Sequence, residues 1–303
     1  MKLVSTYSII AVCKKTGEMG AAVQSHWFSV GSVVPWAESG VGVVATQSIV
    51  EVSYGPLGLA LMKQGKTPEQ ALKALLTVDP QREVRQVAMI NVEGEVAVHT
   101  GSKCVKAAGH YIGDGFTVQA NMVRSEKIWL SMAKAFESSS GSLAERLVST
   151  LEAAEEAGGD LRGRQSAALL VVKTKPCGKP WEDIVCSLRI EDHPNPVEEL
   201  KRLLRLHNAY QHANKGDELI SLGKIEEAME EYKNAFQLAP EVEELKFWYA
   251  VTLANHGMVE EAIQTLKETI SKNKDLLELL KRLPESELIN RNVAAQILKR
   301  VSL

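Results

Sequence analysis

Near residue 195 the chain changes character. Upstream, short apolar runs are broken by glycines and interleaved with surface-type helices. Downstream, one pattern returns at a fixed interval. Gly223 and Gly257 each open the same run of glycine, any residue, hydrophobic residue, Glu, Glu, Ala, ending at Ala228 and Ala262, with the two copies 34 residues apart. A period of this length marks helix pairs that stack, each burying its apolar stripe on the next. Stacked pairs present surfaces and rarely carry a reaction, so any chemistry is expected before residue 195. The reading is two domains, residues 1–195 and 196–303, each long enough to bury a core.

Composition narrows the partners. A net charge of -3 gives no electrostatic case for a nucleic-acid or lipid partner. Cys13, Cys104, Cys177 and Cys186 are widely spaced and form no CxxC pair, so neither a zinc site nor a disulfide lattice is expected. No metal or cofactor is favoured. Lys2-Leu3-Val4 runs at once into Ser5-Thr6-Tyr7-Ser8, unlike a secretory leader. No run reaches the roughly 18 apolar residues that span a bilayer. A cytoplasmic protein is expected.

Strands are expected at Tyr7 to Cys13 and Met19 to Val23, joined by a turn at Gly17, then at Val33 to Ala37 and Val41 to Thr46. Helices follow at Leu57 to Gln64 and from Thr67, where Thr67, Pro68 and Gln70 make a helix start with a capping box. Strands return at Arg85 to Asn91, Glu95 to Thr100 and Phe116 to Ala120. Helices are expected at Glu126 to Ser138 and Leu143 to Ala157, and a strand at Ser166 to Val172. Helices gathered in blocks, without βαβ alternation, argue for an α+β fold and against a doubly wound sheet.

Four groups carry candidate chemistry, each with an ordinary reading beside it. Ser5-Thr6-Tyr7-Ser8 offers hydroxyls at a strand start. An N-terminal Thr supplies its own base, because an α-amine has a pKa of about 7.7–8.0; otherwise these are strand-forming residues. Gln119 and Asn121, two apart on an extended segment beyond the Gly113-Asp114-Gly115 turn, point their amides one way, and such a pair suits a substrate carbonyl or an oxyanion. In Gly158-Gly159-Asp160-Leu161-Arg162-Gly163-Arg164, Asp160 with Arg164 either orients an amine and binds a carboxylate or closes a loop as an ion pair. His26, with Gln47, suits ligand contact or packing near the sandwich mouth.

These residues also carry a resemblance. Thr6-Tyr7-Ser8-Ile9-Ile10-Ala11, Gly20 to Ser25, Val30 to Ala37, Gly40 to Gln47, Ala108-Gly109-His110, Gly113 to Met122 and Gly158 to Leu169 are similar to a widespread family of unknown function (domain of unknown function 1028). That family is placed in the N-terminal-nucleophile (Ntn) hydrolase superfamily. The resemblance implies a four-layer αββα sandwich and an amide-bond hydrolase. Thr6 would be nucleophile and base, backbone donors with Asn121 or Gln47 would stabilise the oxyanion, and Asp160 with Arg164 would orient the amine or bind an acidic substrate. His26, Gln47, Asp114, Gln119 and Arg164 would contact a small amide or peptide-like substrate. Five residues precede Thr6 here, so a free Thr6 amine requires their removal. The alternative is a non-catalytic Ntn-fold binding or scaffold protein.

The tail is similar to tetratricopeptide repeats. Helices are expected at about Val197 to Ala213, Asn208 to Leu222, Ile225 to Leu238, Glu243 to His256, Val259 to Ser271, Leu276 to Arg282 and Glu287 to Lys299. Two repeats are fewer than such arrays need to stand alone. They are expected to lean on flanking helices, on the first domain or on a second copy in a homodimer, and to offer a groove for peptide or protein docking.

Overall fold

A computed structural model describes residues 3–4 and 6–301, with side chains from Thr6 onward. Its contacts fall into two compact units, Met1–Leu204 and Arg205–Leu303.

In the first unit the strands are β1 (Leu3–Val4), β2 (Thr6–Cys13), β3 (Glu18–Ser25), β4 (Pro35–Glu38), β5 (Gly42–Ile49), β6 (Arg85–Asn91), β7 (Val96–Thr100), β8 (Gly109–Gly113), β9 (Phe116–Asn121), β10 (Ser166–Lys173) and β11 (Ile184–Ile190). The helices are α1 (Tyr54–Lys63), α2 (Pro68–Val78), α3 (Ile128–Ser138) and α4 (Leu143–Glu156). Two sheets form, every pairing antiparallel. One runs β11-β10-β3-β2-β9-β8, and the other runs β1-β5-β6-β7 with β4 also on β5.

Three apolar clusters fill the unit, and strand alternation explains their membership. Tyr7, Ile9 and Ala11 of β2 join Phe116, Val118 and Ala120 of β9 against Met132, Leu147 and Leu151 of α3 and α4. The intervening Ile10 faces the other way, toward Val43 and Ala45 of β5 and Ala88 and Ile90 of β6. The far face of that second sheet, Val44, Val87 and Met89, packs on Leu59, Met62 and Leu72 of α1 and α2. The 3-10 turn at Val30–Ser32, between β3 and β4, packs closely on β10 at Gly31, where an added Cβ would sit 2.7 Å from the Ala168 side chain.

The expected start of α2 holds. Thr67 accepts from the Gln70 amide, and the Gln70 side chain accepts from the Thr67 amide. Three strands lie beyond the expected ones: β1, β8 and β11. The last two are edge strands, alternately exposed and covered, so they lack the apolar runs that mark buried strands.

The second unit begins inside α5 (Pro196–Ser221), followed by α6 (Ile225–Leu238), α7 (Glu243–Asn255), α8 (Val259–Lys272), α9 (Asp275–Arg282) and α10 (Arg291–Val301). The two helices expected between Val197 and Leu222 are one continuous helix, because no Pro or Gly stops it before Gly216. The repeated glycines have one job. Gly223 and Gly257 take φ of 73° and 82°, and the next amide reaches back five residues, Lys224 to Leu219 O and Met258 to Leu253 O. This is the Schellman ending, which glycine adopts without a Cβ penalty. Ala228 and Ala262 are buried at equivalent points, and the rings of Tyr232, Phe236 and Tyr249 meet 5.1–5.2 Å apart. No described helix is long and apolar enough to cross a membrane.

Candidate functional site

The gap between the two sheets is apolar at one end and polar at the other. On the six-stranded sheet, Ser166, Ser25, Thr6 and Asn121 stand in register across β10, β3, β2 and β9. Two residues further along, the same face carries Ala168, Val23, Ser8 and Gln119. The facing sheet answers with Gln47 and Gln86, direct partners across β5 and β6, and with Thr100 opposite Gln86 on β7. Thr6, Ser8, Ser25, Gln47, Gln86, Gln119, Asn121 and Ser166 are all buried. All are uncharged.

Buried polar groups must find partners, and these find each other. The Ser8 hydroxyl donates to Gln47 Oε1 at 2.7 Å and accepts from Gln119 Nε2 at 2.5 Å. Gln47 Nε2 donates to Gln86 Oε1 at 2.7 Å, with the Thr6 carbonyl 3.5 Å away. Asn121 Nδ2 donates to the same Gln86 oxygen at 3.0 Å. Gln86 Nε2 in turn donates to Thr100 Oγ1 (3.0 Å) and to the carbonyls of Gly109 (3.1 Å) and Ala120 (3.0 Å). Thr100 Oγ1 also meets His110 Nδ1 at 2.9 Å. Burial, with His99 nearby, holds the His110 ring below its usual pKa.

The structure thus brings together Thr6, Gln47, Gln119 and Asn121, and adds Gln86, which sequence reasoning passed over. Its signal was available: in Arg85 to Asn91 it is the polar member of an otherwise apolar alternate row with Ala88 and Ile90.

His26 and Asp160 lie at the end of this row. Asp160 is buried and accepts from the backbone amide of His26 at 3.1 Å, one residue beyond Ser25. It also bonds the Arg162 amide (2.8 Å) and guanidinium (3.0 Å). The expected Asp160–Arg164 pair does not form. Arg164 pairs instead with Glu155 at 2.9 Å and with Asn195 at 3.0 Å, while its carbonyl lies 3.3 Å from His26 Nδ1. The loop reverses through Gly158, Gly159 and Gly163, all at positive φ, so Asp160 and Arg164 leave it in different directions. Asp114 is not part of the cluster. It occupies the turn between β8 and β9, five strand residues and about 20 Å from the Asn121 end.

The other face of β2 anchors the same loop. The Tyr7 hydroxyl donates to Glu155 Oε1 at 2.9 Å. Burial, reinforced by the Glu155 charge, holds the Tyr7 phenol far above its usual pKa. Burial likewise raises the Glu155 carboxyl against the opposing pull of Tyr7 and Arg164. Gln24, in register beside Tyr7, is fully buried with neither amide atom bonded. An unsatisfied buried amide costs about 1–3 kcal/mol. Gln24→Met, of similar shape, is therefore expected to raise the melting temperature, and a lower one would show that this amide is satisfied in solution.

Backbone outliers gather at the polar end. Ser48 (φ 73°) follows Gln47, Met122 (φ 54°) follows Asn121, and Ser29 (φ 58°) lies three residues past His26. Left-handed backbone at non-glycine residues costs of order 1–3 kcal/mol and persists where the surroundings impose it. Among the described residues no cluster of His, Cys, Asp and Glu is arranged to hold a metal ion.

Two antiparallel sheets holding a buried hydroxyl and amide cluster, followed by stacked helices, define a mixed α+β protein with a helical-repeat tail. Residues 219–283 match the tetratricopeptide repeat. Residues 6–200 match the family of unknown function DUF1028, and the chain belongs to that family. It is similar to a crystal structure of a Silicibacter pomeroyi protein assigned to DUF1028, at 30% identity and a TM-score of 0.60, over 66% of this chain and 88% of that one. No curated protein matches the chain.

Proposed function

We propose that this chain is an Ntn-type amidohydrolase built on an αββα sandwich, with Thr6 as nucleophile once its nitrogen is free. The observation that carries this reading is the register row Ser166, Ser25, Thr6, Asn121 at the polar end of an otherwise apolar gap. In the reaction, the Thr6 α-amine takes the hydroxyl proton while Oγ bonds to the substrate carbonyl carbon. Collapse of the adduct breaks the C–N bond, and the leaving amine departs with that proton. Water, deprotonated by the same amine, then hydrolyses the acyl ester and returns Thr6. Gln47 and Asn121 border the reacting atoms, and Asp160 holds the strand end at His26. Arg164 is neutralised by Glu155, so the reacting end of the substrate is read by uncharged groups, as suits a small amide or peptide-like bond. The helical-repeat tail supplies a protein-contact surface.

In the sequence Thr6 is bonded to Ser5, so the mechanism requires cleavage between them. Mass spectrometry of the purified protein is expected to find chains beginning at Thr6. Chains that keep Ser5 under every condition of expression and incubation would leave the second reading, a binding protein on the same fold.

A further inference from the structure

The hydrogen bonds around Gln86 have a fixed direction. Backbone carbonyls only accept, so the carbonyls of Gly109 and Ala120 dictate that Gln86 turns its NH2 toward them. Rotating that amide would press Oε1 against two carbonyl oxygens about 3 Å away. Gln86 Oε1 is therefore the acceptor that faces β5 and β9. It follows that Gln47 and Asn121 must present nitrogen to it, as they do at 2.7 and 3.0 Å. Gln47 then has its oxygen free to accept from Ser8, and Ser8 is left to accept from Gln119. Two backbone carbonyls thus set the polarity of the whole cluster.

Resting on the amidohydrolase reading, we propose that Gln86 is the positioning residue of the Thr6 site, and that it makes Asn121 a hydrogen-bond acceptor for the Thr6 amine. Asn121 is the direct ladder partner of Thr6, and the bond from its nitrogen to Gln86 fixes which way its amide faces. Its oxygen is the atom suited to take a hydrogen from the released α-amine. That contact turns the amine lone pair toward the Thr6 hydroxyl, as a general base requires. An Asn121 rotated the other way would donate into the lone pair and disable the base.

Two substitutions in the full chain separate this from a merely structural role. Gln86→Glu keeps an oxygen facing Asn121 and Gln47 when its carboxyl is protonated, the form that the carbonyls of Gly109 and Ala120 on its other side demand. Gln86→Met keeps the length and loses the acceptor. The first readout is the Asn121 carboxamide signal in 15N–1H spectra, assigned by its loss in Asn121→Asp. It is expected to stay at its wild-type position in Gln86→Glu and to move in Gln86→Met. The second is acylation of chains beginning at Thr6 by a β-lactone probe. Gln86→Met is expected to slow it on the order of 100-fold, the scale of a misplaced reacting group, with Gln86→Glu restoring most of the rate. An Asn121 signal that moves equally in both variants, or in neither, overturns the assignment of Gln86. A wild-type protein that forms Thr6 chains yet ignores the lactone overturns the hydrolase reading and leaves the spectra to judge Gln86.

Discussion

Thr6→Ala is expected to abolish amide hydrolysis, by a factor on the order of 10^6, the scale seen when a covalent nucleophile is deleted from a serine protease. The side chain is buried in the polar row, so the substitution removes one hydroxyl and one methyl from a packed place. Stability should fall by only about 1 kcal/mol, and a folded but silent protein is the informative result. Thr6→Ser keeps the hydroxyl and should keep measurable turnover. The wild-type rate should rise with pH through about 7.7–8.0 as the α-amine loses its proton. Turnover of an amide library unchanged in Thr6→Ala would remove this residue from the chemistry.

The second large effect concerns stability. Asp79→Ala is expected to destabilise the first unit by about 3 kcal/mol, the scale for breaking a buried ion pair on one side. Asp79 accepts from Arg85 Nε at 2.8 Å, from the Gln81 amide at 2.8 Å and from the Tyr54 hydroxyl at 3.1 Å. Arg85 is buried and also donates to the Ile49 carbonyl at 2.7 Å. Removing the carboxylate strands a guanidinium inside the protein. A fall in melting temperature of about 6–12 °C follows for a unit of this size, and Asp79→Ala combined with Arg85→Met should recover much of it.

The pair also sets a pH dependence. Burial pushes the Asp79 carboxyl up, but the bonds from Arg85 and Gln81 outweigh it and hold the group below its usual value. A folded-state pKa below the unfolded one gives stability that is complete above about pH 4. That stability is lost as pH falls through the folded value. Wild type should lose more stability on acidification than Asp79→Ala does, and equal losses would count against the pair.

Much of the architecture was legible because period-2 runs and helix starts are local. Arg85–Asn91 and Ile225–Leu238 fall at the expected residues, and Gln119 and Asn121 do share a face, as residues two apart on a strand must. The two edge strands of the six-stranded sheet were not legible. Residues 109–113 and 184–190 are half exposed and acquire their strand character from a neighbour, not from their own composition. The cluster was visible only in part for a similar reason. Gln47 and Gln86 are 39 positions apart and meet through the register of β5 with β6, which no spacing rule reports. Arg164 illustrates the limit of proximity in sequence. Asp160 lies four residues away, yet three glycines turn the loop and give Arg164 to Glu155 instead.

The short strand β1 belongs to one sheet and β2 to the other, and among the described residues its ladder with β5 is Leu3 opposite Ile49 and Val4 opposite Ser48. So slight a seam means that severing the chain ahead of Thr6 would forfeit little folding energy. It would also uncover a short stretch of unsatisfied sheet margin beside the new amine, a docking rail on which an extended peptide can lie down as a guest strand.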